Sequence, residues 1–322
     1  MAQWKEIPIT EIENVKIGHA QDESSGTGCT VLVFDRPAPC GLDVRGGGPA
    51  SRETQLLEPT AANNGVNAIL LSGGSAYGLD AAGGVMKYLE EHGKGLQTGG
   101  GLVPIVTASC LYDLGCVTGK VRPDAAMGYQ ACVDSERNEN RCGNVGAGTG
   151  ATVGKMLGPQ RAMKSGLGTY AVQVGELKVG AIVAVNAIGD VYELDSRKEL
   201  AGLLSQDGKT MISSEEAAVQ LLEMKTGLVA NTTIAAIVTN AKLDKSQMKK
   251  AAQLSSNGIA RTIRPVNTSR DGDAVYAASC GNQVSGSDVV GTLGAHVLAM
   301  AINRAVLSAE PVYGYKAARD FL

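Results

Sequence analysis

The stretch from Thr169 to Asn186, TYAVQVGELKVGAIVAVN, decides the fold class. It contains two β-branched, mostly apolar runs, Thr169–Val174 and Lys178–Asn186, on either side of the short turn Gly175-Glu176-Leu177. Such a pair predicts two antiparallel strands joined by a tight turn. Because a purely parallel sheet joins its strands by crossover connections, this hairpin argues against such a sheet.

Further strands and helices are predicted on both sides of this hairpin. Short apolar runs bounded by Gly or polar residues predict the strands Cys29–Phe34, Val66–Leu71, Val103–Thr107, Thr232–Thr239 and Ala274–Ala278. Longer runs of helix-forming residues predict the helices Ala76–His92, Ser214–Lys225, Lys245–Ile263 and Asp288–Leu307, and the last is apolar enough to be packed inside the protein. Strands and helices alternate irregularly, so the expected fold is α+β, a layered αββα sandwich. With no Pro/Ser-rich linker, one domain over residues 1–322 is expected.

Composition excludes several classes of function. The net charge of −3 gives no reason to expect a nucleic acid partner. The first fifteen residues, MAQWKEIPITEIENV, lack the apolar core of a signal peptide, and no apolar run of about 18 residues predicts a membrane span. The seven cysteines are odd in number and form no C-x-x-C pair, so reduced thiols and a cytoplasmic protein are expected. The three histidines are far apart in sequence and show no clustered metal-ligand spacing, so no metal site is expected.

The glycine-rich segment Gly146–Lys155, GAGTGATVGK, suggests a nucleotide-binding loop but fails the two relevant patterns. A P-loop requires Gly where Thr149 stands and Ser or Thr where Met156 stands. A dinucleotide-binding turn requires a third Gly where Ala151 stands. The segment is therefore interpreted as a loop that allows tight packing or lines a pocket.

The step Asn231-Thr232-Thr233, which opens an apolar strand, is the candidate reactive centre. A threonine hydroxyl is a poor nucleophile without a base. If the Asn231–Thr232 bond breaks, the new α-amine of Thr232 can be that base, because its reference pKa of about 7.7–8 leaves part of it neutral near pH 7. In this hypothesis Thr232 Oγ attacks the Asn231 carbonyl, the ester hydrolyses, and fragments 1–231 and 232–322 stay associated. The same residues also fit an ordinary strand start.

Several segments in a fixed order resemble the DmpA-type aminopeptidase family and, within it, the nylon oligomer (6-aminohexanoate oligomer) hydrolases. These are Ile12–His19, Gly46–Pro49, Leu70–Gly78, Pro104–Val106, Gly143–Lys155, the Asn231-Thr232-Thr233 step and Arg264–Asp273. The resemblance implies the αββα fold of N-terminal-nucleophile-like hydrolases, shared with the ornithine acetyltransferases. It also implies self-cleavage before Ser or Thr and a homotetramer of processed protomers.

The resemblance assigns the nucleophile to Thr232 and an acidic pair to Asp271 and Asp273. Thr after Asn, together with two aspartates, matches the nylon hydrolases, whereas the aminopeptidase branch carries Ser at the nucleophile and Ser and Glu at the acidic pair. One carboxylate can hold the Thr hydroxyl or ammonium while the other orients the first. Two carboxylates two residues apart repel each other, so the pKa of one should rise. Without the resemblance, the pair would be interpreted as a solvated turn.

Three more residues are assigned supporting roles by the same resemblance. Lys155 would stabilise negative charge or tune the nucleophile, Asn186 would polarise the tetrahedral oxyanion, and Tyr112 would hydrogen-bond the intermediate. Taken alone, they fit a surface lysine, a turn asparagine and a packed aromatic.

The resulting prediction is a cofactor-free amide hydrolase that acts through an acyl ester on Thr232. The expected substrates are linear 6-aminohexanoate oligomers, and the alternative is an aminopeptidase that acts on short peptides or amides. An acyltransferase and an uncleaved protein without catalytic activity are the competing classes.

Overall fold

The computed structural model describes residues 4–221 and 231–322. Its strands, in chain order, are β1 Lys5–Ile7, β2 Val15–Asp22, β3 Thr27–Ala38, β4 Cys40–Val44, β5 Ala50–Arg52, β6 Val66–Ser72, β7 Leu96–Thr98, β8 Gly101–Val103, β9 Val106–Cys110, β10 Thr152–Val153, β11 Met163–Lys164, β12 Leu167–Val174, β13 Leu177–Asn186, β14 Asp190–Tyr192, β15 Glu199–Ala201, β16 Leu203–Leu204, β17 Met211–Ile212, β18 Thr232–Ala241, β19 Ile263–Arg264 and β20 Ala274–Gln283. Its α-helices are α1 Ala81–Glu91, α2 Ala125–Ser135, α3 Ser214–Leu221, α4 Lys245–Ser255, α5 Asn257–Thr262 and α6 Ser287–Leu307.

Two mixed sheets form the centre of the protein. One has six strands in the order β1-β12-β13-β18-β20-β4, and the other has five in the order β2-β3-β6-β9-β5. The predicted hairpin is β12 and β13, which pair antiparallel from Leu167 to Val174. Each sheet also contains one parallel pair, β18 with β20 and β6 with β9. The hairpin therefore lies inside a mixed sheet, as expected.

The alternation of side chains along the strands explains the four layers. In β13, Ile182 and Ala184 face the second sheet, where they join a core with Phe34 and Leu71. Their neighbours Val183 and Val185 face the opposite way, into a core formed with α4 and α6. A third core lies between the five-stranded sheet and the helices α1 and α2. Because a strand presents successive residues to opposite faces, apolar residues at every position require a layer on each side. The αββα arrangement is confirmed.

Some predicted boundaries were wrong for local reasons. The helix predicted from Ala76 begins at Ala81, because Ser75 has a positive φ of 54° and a 3₁₀ turn occupies Ser75–Asp80. The predicted strand Val103–Thr107 is divided between β8 and β9, and Pro104 separates them. The predicted helix Lys245–Ile263 is divided into α4 and α5. The predicted helix Ser214–Lys225 is α3 as far as Leu221, and its remainder lies outside the described residues.

The apolar helix α6 is packed inside the protein, as its composition predicts. In length and composition it could cross a membrane, so the expectation that no segment reaches that length was wrong. However, 72% of its most apolar 18-residue window is buried against the rest of the protein. This burial is typical of a core helix, and its inward face packs on β12 and β13.

Candidate active site

The register of the six-stranded sheet gathers the candidate residues around the start of β18. Thr232, its first residue, pairs with Asn186, the last residue of β13. On the other side, β18 pairs in parallel with β20, and Asn231 forms a further parallel bridge to Asp271. Three segments distant in sequence therefore meet at one end of the sheet: the end of β13, the Asn231-Thr232 step and the turn before β20.

The Asn231–Thr232 peptide lies inside this cluster. The side chain of Thr232 is buried, and its Oγ donates a hydrogen bond to the carbonyl oxygen of Asn231. The main-chain N–H of Gly272 donates to the same oxygen at 2.9 Å. The hydroxyl therefore lies against the carbonyl group that it would attack, and both acidic residues flank Gly272.

Main-chain N–H groups fix the two carboxylates of the acidic pair. Asp273 Oδ1 accepts a hydrogen bond from Thr233 N at 2.6 Å, and its Oδ2 accepts one from Asn267 N at 3.1 Å. Asp271 Oδ2 accepts one from Thr268 N at 2.7 Å. Both residues are buried in the turn before β20, rather than in a solvated turn. Asp273 therefore holds the main chain directly after the nucleophile, and both carboxylates hold the 267–268 segment of the turn.

Burial disfavours the charged form of both acids. It raises the pKa of Asp273 to about 7, repulsion from Asp271 adds to the rise, and the hydrogen bonds from Thr233 and Asn267 oppose it. Burial also raises the pKa of Asp271, opposed by its hydrogen bond to Thr268 and by the charge of Lys155. The raised pKa expected from repulsion alone therefore has desolvation as its larger cause. At neutral pH the pair can both hold and release a proton.

Lys155 is a buried residue of the cluster and not a surface lysine. Its Nζ donates to the main-chain oxygen of Asn186 at 2.9 Å and to the side-chain Oδ1 of Asn186 at 2.6 Å. Burial lowers the pKa of Lys155 to about 7, opposed first by the charge of Asp271. The ammonium is therefore poised between its charged and neutral forms near neutral pH.

The glycine-rich loop brings Lys155 to this place. Gly154 has a positive φ of 71°, and a Cβ there would lie 2.0 Å from the carbonyl carbon of Gly202. Gly154 N donates to Gly189 O at 3.0 Å, and Lys155 N donates to Ile188 O at 2.9 Å. Close approach of two backbones requires glycine here. The loop thus allows tight packing, and its residues Gly150, Thr152 and Lys155 also line a cavity, so it has both of the roles interpreted from sequence.

Asn186 connects Lys155 to Tyr112. Its Nδ2 donates to the main-chain oxygen of Tyr112 at 2.8 Å, and its Oδ1 accepts from Thr152 N at 3.1 Å as well as from Lys155. Because an amide NH₂ carries two hydrogens, one remains for an oxyanion. Tyr112 contacts Asn186 through its main-chain carbonyl oxygen, whereas the resemblance assigned Tyr112 a hydrogen bond to the reaction intermediate.

A cavity of about 140 Å³ adjoins Lys155. Apolar and small residues form most of its wall, together with one acid: Tyr112, Asp113, Cys116, Thr152, Pro159 and Tyr315. Larger grooves in the described part of the chain, such as those around Lys242 and around Leu56, are lined by other residues. Unlike these grooves, the cavity borders two of the candidate residues, Tyr112 and Lys155.

Sequence reasoning missed two residues of this region. Gly272 appeared only as the residue between two aspartates, and its role depends on the bridge to Asn231. Asp113 is buried, accepts hydrogen bonds from Thr27 Oγ1 and Gly74 N at 2.7 Å each, and has a pKa raised by burial. Asp113 is adjacent in sequence to the candidate Tyr112, which could have drawn attention to it, but the two hydrogen-bond partners of Asp113 belong to distant segments.

Comparison with known sequences places the chain among amide hydrolases. Residues 8–319 match the family model described as peptidase family S58. A protein from Mycobacterium leprae, named an uncharacterized aminopeptidase, is 37% identical over 95% of this chain and 91% of its own length. A 6-aminohexanoate-oligomer endohydrolase from Kocuria sp. is 28% identical over 84% of this chain and 74% of its own.

Comparison with solved structures supports the fold. The β-aminopeptidase of Burkholderia sp. superposes with a TM-score of 0.67 at 18% identity, covering 97% of this chain and 90% of that one. An L-aminopeptidase D-Ala-esterase/amidase from Ochrobactrum anthropi superposes with a TM-score of 0.68 at 18% identity, covering 94% and 86%. That structure is described as a variant of the N-terminal-nucleophile hydrolase fold. At this identity the likeness establishes the shared fold.

Proposed function

This chain belongs to peptidase family S58 and is a hydrolase of amide bonds, and we propose that its nucleophile is Thr232, freed when the chain cuts itself after Asn231. The observation that carries the proposal is the contact of Thr232 Oγ with the Asn231 carbonyl oxygen, beside Asp271, Asp273 and Asn186. Self-cleavage requires such a contact, because the hydroxyl of Thr232 must attack the carbonyl group of the residue directly before it.

In the first step the precursor becomes two fragments. A bond forms between Thr232 Oγ and the Asn231 carbonyl carbon, the C–N bond breaks, and the Oγ proton passes to the Thr232 nitrogen. Water then hydrolyses the ester between Asn231 and Thr232. This releases the Asn231 carboxylate, restores the Thr232 hydroxyl and leaves Thr232 with a free amine, so fragments 1–231 and 232–322 result.

In the second step the processed enzyme hydrolyses its substrate. The Thr232 amine takes the Oγ proton as Oγ attacks the substrate carbonyl, and it returns the proton to the leaving amine. Asp273 holds the main chain beside the nucleophile through Thr233 N. Asn186 faces the developing oxyanion. Its amide is held by hydrogen bonds to Lys155 Nζ and to the main-chain oxygen of Tyr112. Water then hydrolyses the acyl ester on Thr232.

For the substrate we favour linear 6-aminohexanoate oligomers. The Asn-Thr junction and the aspartate pair at 271 and 273 support this choice, because they resemble the nylon hydrolase branch. The cavity beside Lys155, with mainly apolar and small walls, suits an unbranched acyl chain.

The second candidate is an aminopeptidase acting on short peptides or amides. The observation that favours it is the higher identity, 37% against 28%, to a relative named an aminopeptidase. We expect either enzyme to be a homo-oligomer of processed protomers, which size-exclusion chromatography with light scattering measures.

One experiment separates the two candidates. The purified enzyme is incubated with the linear 6-aminohexanoate trimer, the same trimer acetylated at its amine, and a set of amino-acid amides. An endohydrolase cuts the acetylated trimer, because it needs no free amine, whereas an aminopeptidase cuts only the unblocked substrates. Activity confined to amino-acid amides would reverse the preferred order.

A matched pair of variants tests the nucleophile in the same assay. Thr232→Ala should abolish turnover on every substrate. Thr239→Ala, which removes a buried hydroxyl near the far end of the same strand, should keep it, since Thr239 Oγ1 donates to Lys178 O and accepts from Ala241 N, both outside the cluster. Turnover by the Thr232→Ala variant would refute the proposal.

A further inference from the structure

The carbonyl oxygen of Asn231 is held by a main-chain donor across the strand pairing. Asn231 and Asp271 form a parallel bridge, in which Asn231 N donates to Arg270 O at 3.3 Å and Gly272 N donates to Asn231 O at 2.9 Å. The second of these bonds ends on the oxygen of the peptide that the proposed function cleaves. When Thr232 Oγ attacks, the charge of the tetrahedral intermediate develops on that same oxygen.

The geometry points to a distinct task for this N–H, and we propose that the main-chain amide of Gly272 is the oxyanion donor of the self-cleavage step. The inference rests on the proposed cleavage between Asn231 and Thr232. As the Oγ–C bond forms, the carbonyl π pair moves onto the Asn231 oxygen and is stabilised by Gly272 N–H. As the intermediate collapses, the C=O bond reforms, the C–N bond breaks, and the proton of Oγ leaves with the Thr232 nitrogen.

Thr232 Oγ cannot stabilise that charge itself. In the uncleaved chain it donates to the Asn231 oxygen, but in the attack it becomes the atom bonded to the carbonyl carbon. The Gly272 amide keeps its position throughout, because it belongs to the neighbouring main chain. A donor that is in place before the reaction needs no reorganisation as charge develops.

The surroundings of Gly272 hold its amide rigidly. The carboxylates on either side accept hydrogen bonds from main-chain N–H groups, Asp271 from Thr268 and Asp273 from Thr233 and Asn267. The main chain is fixed as well, because Gly48 N donates to Asp271 O at 2.8 Å. In the precursor the two aspartates are therefore positioning residues for the Gly272 N–H.

The absence of a side chain at Gly272 leaves room for the Thr232 hydroxyl beside the Asn231 carbonyl. A Cβ at residue 272 would lie 2.8 Å from Thr232 Oγ and 3.1 Å from Thr232 Cγ2. Any larger residue would therefore displace the nucleophile from the bond it attacks. The glycine serves two purposes at once, a close main-chain donor and room for the hydroxyl.

Asn186 is engaged differently in the uncleaved chain. Its side chain bonds to Tyr112 O, Thr152 N and Lys155 Nζ, and its main-chain partner across the sheet is Thr232 itself. Asn186 is assigned to substrate turnover in the proposed mechanism. Self-cleavage and turnover thus place their oxyanions against different donors, and the two steps can be impaired separately.

Replacing the main-chain amide of residue 272 by an ester tests the inference without introducing a side chain. The full chain is made by in vitro translation with glycolic acid in place of Gly272, which replaces its N–H by oxygen. The matched control carries glycolic acid in place of Gly143, whose N–H donates to Leu167 O at 2.8 Å in a loop outside the cluster. Intact mass follows the conversion to fragments 1–231 and 232–322.

We expect the exchange at residue 272 to slow fragment formation by about 10²–10³-fold, the usual effect of removing one oxyanion donor. The control exchange at Gly143 should leave the rate within about threefold of the unmodified chain. Equal rates for the unmodified chain and the 272 variant overturn the inference while the proposed cleavage stands. Failure of the unmodified chain to cleave refutes the proposed function itself.

A second measurement decides the question if the exchanged chain does not fold. In the uncleaved Thr232→Ala precursor, with ¹⁵N in glycine and ¹³C in the asparagine carbonyl, NMR detects scalar coupling across a hydrogen bond. A coupling between Gly272 N and the Asn231 carbonyl carbon is expected. Its absence in the folded precursor would overturn the inference.

Discussion

Replacement of Lys155 by methionine separates catalysis from stability. Methionine has a similar length and tolerates burial, but it removes the Nζ that donates to Asn186 O and Oδ1 at 2.9 and 2.6 Å. Without Nζ, Thr152 N remains as a donor to Asn186 Oδ1, at 3.1 Å. The Asn186 amide, to which the proposed mechanism assigns the oxyanion, is then held more weakly.

The expected effects on rate and on folding differ in size. Outright loss of an oxyanion donor costs about 10²–10³ in kcat, or about 2.7–4 kcal/mol, and Lys155→Met should lower kcat by up to this amount because it loosens the donor Asn186. The free energy of unfolding should change by no more than about 2 kcal/mol, because two effects oppose each other. The lost hydrogen bonds destabilise the fold, whereas removal of a buried amine whose pKa is lowered to about 7 stabilises it.

Lys245→Met is the matched control. Lys245 is also buried, and its Nζ donates to the carbonyl oxygens of Leu56, Ala61 and Asn63 at 3.2, 2.6 and 2.7 Å. Its loss removes the shared donor of three half-buried carbonyls that line a groove and can bind water instead, so the total cost should be about 1–3 kcal/mol. Lys245→Met should therefore lower the stability and keep kcat.

The assay combines steady-state turnover of the preferred amide substrate with urea unfolding of each variant. A Lys155→Met enzyme with normal kcat would refute the assigned role of Lys155. A Lys245→Met enzyme that loses kcat without losing stability would show that any buried lysine has this effect, which would equally contradict the reasoning.

Three further predictions concern the same cluster. The pKa of Asp273 in the fold, about 7, lies above its ordinary value of 3.8, so its contribution to stability is full below about pH 4 and is lost as pH rises through 7. The urea midpoint of the Thr232→Ala precursor should therefore fall between pH 5 and 7 more steeply than that of the same precursor with Asp273→Asn added. Parallel curves for the two proteins would contradict the assigned pKa. Gly154→Ala should lower the unfolding free energy by more than about 2 kcal/mol, since its Cβ would lie 2.0 Å from the Gly202 carbonyl carbon. Gly208 has a similar positive φ of 67° and nothing within 4 Å of its Cβ position, so Gly208→Ala should cost only about 1–2 kcal/mol. Equal thermal shifts for the two variants would refute the packing argument. Thr232→Ser should still cut itself because it keeps Oγ, whereas Thr232→Val should stay intact on denaturing gels, and cleavage of the valine variant would rule out the hydroxyl.

The layer architecture could be predicted from sequence because it follows from local patterns. The strands β13 and β18 contain continuous apolar runs, residues 179–185 and 234–238, which are typical of strands covered on both faces. The helix α2 was missed because Gly128 lies in its middle. That glycine is required by packing, since a Cβ there would lie 1.9 Å from Ala81 O of α1.

The site could be predicted only where a residue type carries its own chemistry. Thr232 and the two aspartates were identified as candidates from such residue types and from the family resemblance. The contact between Gly272 N and Asn231 O could not, because it depends on the register of the main chain around β18 and β20, and register is set by tertiary packing. The burial of Asp113 likewise depends on Thr27 and Gly74, which the sequence does not place beside it.

The most direct test of the whole account is the intact mass of the freshly purified protein, followed by N-terminal sequencing of the smaller species. We predict two polypeptides that copurify, of residues 1–231 and 232–322, and a smaller fragment that begins Thr-Thr-Ile-Ala. A single chain of 322 residues that hydrolyses amides at full rate would contradict the account, because its Thr232 would then have no free amine.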